Sequence, residues 1–224
     1  MRKDDHWTHE TMRLYRRYER EIVDAYELCP WAAQVRKDAR VCERVLLQAD
    51  ITNDEPSLQT IGALGDVDIA LLIYPRLAVG RTAFERFASR VRDAEVARHP
   101  LGMAPFVFAV FHPEASPDTD DPERLIPFLR RTPDPTIQLL RSSVLEKIRG
   151  AVSHGTQFVD PRFLESLHPQ PPSLRERIAR VNLATTLRVG VETMTKQLDD
   201  IVRDREATHR ALEVLAPVQG HRVL

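Results

Sequence analysis

Glycine is scarce in this chain: 8 residues against 16 prolines in 224. No glycine-rich phosphate loop is present, so nucleotide binding through the common loops is not expected. Most of the prolines fall between Pro100 and Pro172, so the middle of the chain is joined by stiff connections rather than flexible ones. Cysteine is nearly absent as well. Cys29 and Cys42 do not form a paired CxxC, which argues against structural zinc, and in a reducing compartment both stay thiols. HExxH and GxSxG are missing, so zinc-protease and α/β-hydrolase chemistry are not expected. The formal net charge is only -1, which gives no global attraction to nucleic acid or to an anionic membrane. No apolar run approaches the roughly 18 residues of a membrane span. The opening MRKDDHWTHE lacks the apolar core of a signal peptide, so a cytoplasmic location is expected.

What is present is hydrophobic patterning. Leu14, Tyr18, Ile22, Ala25 and Cys29 recur at spacings of four and three, predicting a helix over Thr8 to Leu28 that Pro30 ends or bends. A short helical piece from Trp31 to Asp38 follows. Strands are predicted at Cys42–Ala49, Asp66–Tyr74 and Phe106–Phe111. The last two are apolar throughout, as central strands covered on both faces are. Between them Arg81–Arg98 reads as an amphipathic helix with Phe84, Phe87, Val91 and Ala94 facing inward. Arg124–Arg130 and Thr136–Gly150 read as helical pieces around a Pro-Asp-Pro corner, and Thr156–Val159 as a short edge strand. The pattern predicts an α/β (α+β) domain over residues 1–170, with a three- to four-stranded sheet and flanking helices.

After the linker His168–Pro172, Ser173 is placed to cap one long amphipathic helix running to about Leu215, a separate unit over residues 171–224. Leu187, Val191, Met194, Leu198 and Ile201 form a seam of about two heptads. The seam serves either packing on the chain's own domain or a homodimer. Gly190 inside it costs about 1 kcal/mol relative to alanine and marks a kink or a close approach.

Three places carry the residue types that chemistry needs. Cys29 follows a helix end, where the helix dipole disfavours a thiolate, so a reactive thiol there needs a cation or metal from elsewhere. His112, in FHPE, leaves the clearest strand just before a rigid proline, at the strand end where ligands of open α/β sheets bind. His154, in SHGT, is a loop histidine. The stretch RRTPDPTIQLLRS, Arg130 to Ser142, brackets Asp134 with two prolines. Asp134 is expected to cap the following helix with Pro135 at its first position. On that helix Gln138 and Arg141 would share a face and, with Arg130, bind a substrate anion, since guanidinium takes carboxylate or phosphate at two points. The other histidines lie in terminal, linker or charged surroundings and read as surface residues.

LCPWA (Leu28 to Ala32), FHP (Phe111 to Pro113) and RRTPDPTIQLLR (Arg130 to Arg141) together resemble a family of bacterial and plant proteins catalogued as domain of unknown function 1415. The resemblance covers about Tyr15 to Asp160. It implies no settled activity, but it carries Cys29, His112 and Asp134 forward as positions of the signature motifs. The helix after Pro172 exceeds the usual length of the family, which implies a specialised partner or oligomeric state.

The sharpest expectation is a metal-dependent, iron-type oxidoreductase acting on a small anionic molecule. His112 and His154 would be the ligands of iron or another transition metal. Cys29 and Asp134 would be the catalytic groups, and Arg130, Gln138 and Arg141 would hold the substrate. No nucleotide cofactor is expected. Two alternatives remain open: a metal-free enzyme with Cys29 as nucleophile and His112 as base, and a non-catalytic assembly module that works through its C-terminal helix.

Overall fold

The computed structural model describes residues 3–28, 40–100, 103–150 and 174–214. Helix α1 (Lys3–Tyr18) continues into a wider, π-helical stretch over Glu19–Asp24. The chain reverses at Glu27, whose φ of 51° is left-handed, and Leu28 N–H returns to the carbonyl of Val23 at 3.0 Å. Then come β1 (Val41–Val45), α2 (Glu55–Gly62), β2 (Ile69–Ile73), α3 (Arg81–Ala97), β3 (Phe106–Phe111), α4 (Pro122–Leu129), β4 (Thr136–Arg141), α5 (Ser142–Gly150), α6 (Leu174–Val189) and α7 (Val191–Val214). The predicted helix Trp31–Asp38, strand Thr156–Val159 and linker His168–Pro172 lie outside the described residues. No described helix is long and apolar enough to cross a membrane.

The four strands form one mixed sheet in the order β1-β2-β4-β3. β1 runs parallel to β2, and β4 runs antiparallel to both β2 and β3. Alternation along the strands sorts the core into two layers. Ala70, Leu72, Ile137 and Leu139 face α2 and α3, where they meet Leu58, Ile61, Phe84, Phe87 and Val91. Leu71 and Ile73 face the other way, toward Tyr15, Tyr18 and Ile22 of the N-terminal helix, Leu125 and Phe128 of α4, and Met194, Leu198 and Ile201 of α7. The fold is therefore α+β, a sheet covered on both faces by helices.

Two expectations are corrected. Thr136–Arg141 is a strand, not the start of a helix: Ile137 and Leu139 point to one face while Thr136 and Gln138 pair toward the other. Asp134 consequently caps nothing. Its carbonyl accepts from the hydroxyls of Thr132 and Thr136 at 2.7 and 2.9 Å, and the carbonyl of Pro135 accepts from Tyr74 N–H. Because β4 takes the centre, Phe106–Phe111 is an edge strand of the described sheet, with Val107 44% exposed.

The long C-terminal helix is present, with a break at the glycine where a kink or close approach was expected. Gly190, at φ 95°, breaks it into α6 and α7. Met194, Leu198 and Ile201 are buried in the chain's own core, and Leu187 stands outside it. The seam thus closes on the domain, and those three side chains are not available to a second copy.

Candidate functional site

The carboxyl ends of β1, β2 and β3 and the amino end of β4 share one end of the sheet. Backbone bonds tie them there: Leu46 N–H to Ile73, Tyr74 N–H to Pro135, His112 N–H to Arg130. Both unusual motifs, FHPE and RRTPDP, emerge at this end. Within them His112 turns toward Phe84 of α3 and Asp134 toward Arg205 of α7, on opposite faces of the sheet.

On the α3 face, His112 is 4% exposed, with its ring 5.8 Å from that of Phe84. The ring nitrogens have backbone partners. Nε2 lies 3.0 Å from the carbonyl of Val79, which can only accept, so Nε2 carries the proton. Nδ1 then accepts from Glu114 N–H at 3.1 Å. Burial pushes the imidazole below its ordinary value, toward the neutral form. Glu114 extends the same clasp. Its Oε2 accepts from Arg81 N–H at 3.3 Å, so a carboxylate sits at the N-terminus of α3, where the helix dipole favours negative charge. FHPE therefore fastens the turn between β2 and α3.

Beside the clasp a groove of about 370 Å³ opens between α3, β3 and α4. Phe108, Val110, Ile126 and Pro127 supply its apolar lining. Arg81 and Glu85 come from the α3 wall, and Glu123 and Arg130 from α4 and the turn after it. Arg81 Nε donates to Glu85 at 2.7 Å, and the Arg130 guanidinium lies 5.0 Å over the ring of Phe111.

On the α7 face, Asp134 is 1% exposed. Its Oδ1 accepts from Arg205 Nε at 2.7 Å, and Arg205 also reaches the carbonyl of Pro75. His209 Nε2 lies 3.6 Å from the same Oδ1, too far for a hydrogen bond. The His209 ring packs edge-on against Trp7 at 4.8 Å. Asp134 Oδ2, His209 Nε2, Trp7 Nε1 and Thr11 Oγ1 are all buried without a hydrogen-bond partner, a concentration that native interiors rarely tolerate. Arg131, next in the motif, donates to Asp199 of α7 at 2.7 Å and to the carbonyl of Pro113.

Of the residues expected to form one site, the structure brings only His112 and Arg130 to the groove. Asp134 is on the opposite face. Gln138 lies mid-strand, paired with Leu71 and Ala109. Arg141 is at the far end of β4, roughly 20 Å from Asp134 at about 3.3 Å per residue. There it donates to the carbonyls of Val67 and Gly65 and stacks 5.0 Å over Phe106. Cys29 and His154 lie outside the described residues. Among the described residues no three His, Cys, Asp or Glu side chains are grouped to hold a metal ion. His112 would have to give up a backbone hydrogen bond to bind one.

The residues not foreseen are Arg81, Glu85 and Glu123 in the groove, and Arg205, His209, Trp7 and Thr11 on the other face. His209, expected at the surface, is buried. A signal for Arg205 was there: the four-three seam through Met194, Leu198 and Ile201 continues to Arg205, Thr208 and Leu212. A guanidinium at a seam position calls for a buried acid.

No curated protein and no solved structure matches this chain. A family model described as "Protein of unknown function (DUF1415)" matches residues 11–160. That span includes all four strands and both motifs, while Trp7 and helices α6 and α7 fall outside it. The match extends over more than half of the chain, and the protein belongs to this family of unknown function.

Proposed function

We propose that the protein binds a small anionic molecule in the groove between α3, β3 and α4. The observation that carries this reading is the placing of Arg81, on α3, and Arg130, after α4, along one groove of mixed polar and apolar lining. The groove's size is at the small end of the range of roughly 300–1,000 Å³ for small-molecule sites. Paired guanidiniums suit a carboxylate or phosphate monoester, and Glu85 and Glu123 suit a hydrogen-bond donor elsewhere on the same ligand. Glu114 is a built-in example of the chemistry, a carboxylate already taken by the N-terminus of α3. In this reading His112 is a positioning residue that holds the groove's mouth. An iron-type oxidoreductase centred on His112 and His154 draws no support from the geometry around His112.

Calorimetric titration against mono- and dicarboxylates and phosphate monoesters tests the reading. One class is expected to bind with submillimolar affinity. Arg81→Gln with Arg130→Gln should weaken it at least about tenfold, since a charge-assisted hydrogen bond contributes ~1.5–3 kcal/mol. Glu114→Gln removes a competing carboxylate and should tighten binding severalfold. No anion binding in any class, or binding indifferent to the double substitution, sinks the proposal.

A further inference from the structure

The groove runs along one edge of the sheet. Among the described residues β3 pairs with β4 alone. In an antiparallel ladder, residues that exchange backbone hydrogen bonds with the partner strand alternate with residues that turn those groups outward. Ser142 N–H donates to the carbonyl of Pro105 at 2.8 Å, which fixes the phase. By the register, Val107, Ala109 and Phe111 then bond Leu140, Gln138 and Thr136. The other side of β4 agrees, since Arg141 N–H donates to the carbonyl of Asp68 and Tyr74 N–H to that of Pro135. Phe106, Phe108 and Val110 therefore turn their N–H and carbonyl groups away from β4. Two of them, Phe108 and Val110, line the groove. Its floor thus offers main-chain donors and acceptors with no partner strand among the described residues, and α3 and α4 flank it on the two faces of the sheet.

We infer that the ligand of this groove is the carboxyl-terminal stretch of an extended peptide, added to β3 as a parallel strand; the inference rests on the anion-binding reading above and names its ligand. At His112 the edge is already used by the chain itself, because His112 N–H donates to the carbonyl of Arg130 at 3.2 Å. An added strand has to end there. Both guanidiniums stand at that end. The Arg130 guanidinium lies over Phe111, the last residue of β3, and Arg81 opens α3 beside Glu114 and the His112 clasp. Arg81 Nε is held by Glu85, which leaves the two terminal nitrogens for a ligand. A strand that stops against two guanidiniums presents its carboxylate there, not its amine. With its carboxyl end at the carboxyl end of β3 it runs parallel to it. Main-chain bonds to Phe108 and Val110 hold the peptide, as in other strand additions. Its alternate side chains meet Phe108 and Val110 on the α3 face and Ile126 and Pro127 on the α4 face.

Amide hydrogen exchange of the full chain, read residue by residue with an N-acetylated tripeptide of valine and alanine as probe, tests the inference. Without peptide, the amides of Phe108 and Val110 should exchange at least about tenfold faster than those of Val107 and Ala109, which the ladder protects. Saturating peptide should slow the first pair and leave the second unchanged. In calorimetry the peptide acid should bind at least about tenfold tighter than its carboxyl-terminal amide or than butyrate, since it alone uses both the guanidiniums and the edge. Val110→Pro deletes an outward N–H that β4 does not use, and it should weaken the peptide acid severalfold. Should that variant not fold, the exchange pattern of the unaltered protein decides. Butyrate binding as tightly as the peptide, or Phe108 and Val110 amides that are slow beforehand or indifferent to it, overturns the strand addition and leaves the anion site standing. An amide that binds as well as the acid, or peptide binding unchanged by Arg81→Gln with Arg130→Gln, overturns the anion reading as well. Protection at Phe108 and Val110 that grows with protein concentration alone assigns the edge to a second copy and overturns the peptide.

Discussion

Arg205→Ala is expected to lower the unfolding free energy by about 3–5 kcal/mol, more than any surface ion pair could account for. Asp134 is 1% exposed, and its Oδ1 is bonded to Arg205 at 2.7 Å. Removing the guanidinium leaves a carboxylate inside the protein with no cation in hydrogen-bond contact, since His209 stands 3.6 Å away. The pair need not be strongly stabilising in itself, because both groups lost hydration to form it. A substitution that removes both charges should therefore be milder than one that removes half of the pair. Urea denaturation of Arg205→Ala, Asp134→Asn and the double variant measures this. The double variant should recover about 2 kcal/mol relative to Arg205→Ala alone, the coupling of two groups in direct contact. A loss under about 1 kcal/mol for Arg205→Ala would mean that the partly exposed guanidinium behaves as a surface charge, and that something else holds Asp134.

That same pair shows where the sequence could be read and where it could not. Local periodicity located β2, α3 and β3 closely, because each is long enough to show its own repeat of two or 3.6 residues. The family resemblance was also legible, through motifs whose prolines and aromatics are uncommon. β4 was not. Six residues after Pro-Asp-Pro, TIQLLR, satisfy the opening of a helix as well as a strand, and a proline at the first helical position is a normal start. What decides the matter is tertiary: Leu71 and Ala109 on either side of Gln138 offer two strand edges at once, so the segment forms two ladders. The misreading then propagated to the site. As a helix the segment would set Gln138 and Arg141 on one face. As a strand it sends them to opposite faces and takes Arg141 to the far end of the sheet. The true partner of Asp134 is 71 residues away in sequence, and no local pattern could pair them. Only the charged seam position at Arg205 hinted at it.

His112 gives the second large effect, and here pH separates the causes. His112→Ala should cost about 3 kcal/mol, since it strands the Val79 carbonyl and the Glu114 N–H, each worth roughly 1–3 kcal/mol when left buried and unpaired, and leaves a void beside Phe84. The imidazole is also predicted to make the protein acid-sensitive. Its folded value lies below the ordinary 6.5, chiefly through burial, and the same holds for His209. The unfolded chain therefore takes up protons near pH 6.5 that the folded chain refuses. Stability is fully present above that pH and falls as the pH drops toward the folded values, by at most about 1.4 kcal/mol per pH unit for each ring. Carboxylates cannot produce this loss. Asp204, held at about 2 by Arg13 and Arg17, contributes stability above its ordinary 3.8 that disappears only as the pH falls from there toward 2. Between pH 7.5 and pH 5.5 the slope thus belongs to buried histidine. His112→Gln, whose amide can still donate to Val79, should remove one ring's share of that slope, and adding His209→Gln should flatten it. Denaturation midpoints collected across this range decide the point, and a stability that stays level or rises toward pH 5.5 would show that the folded protein accepts these protons without strain.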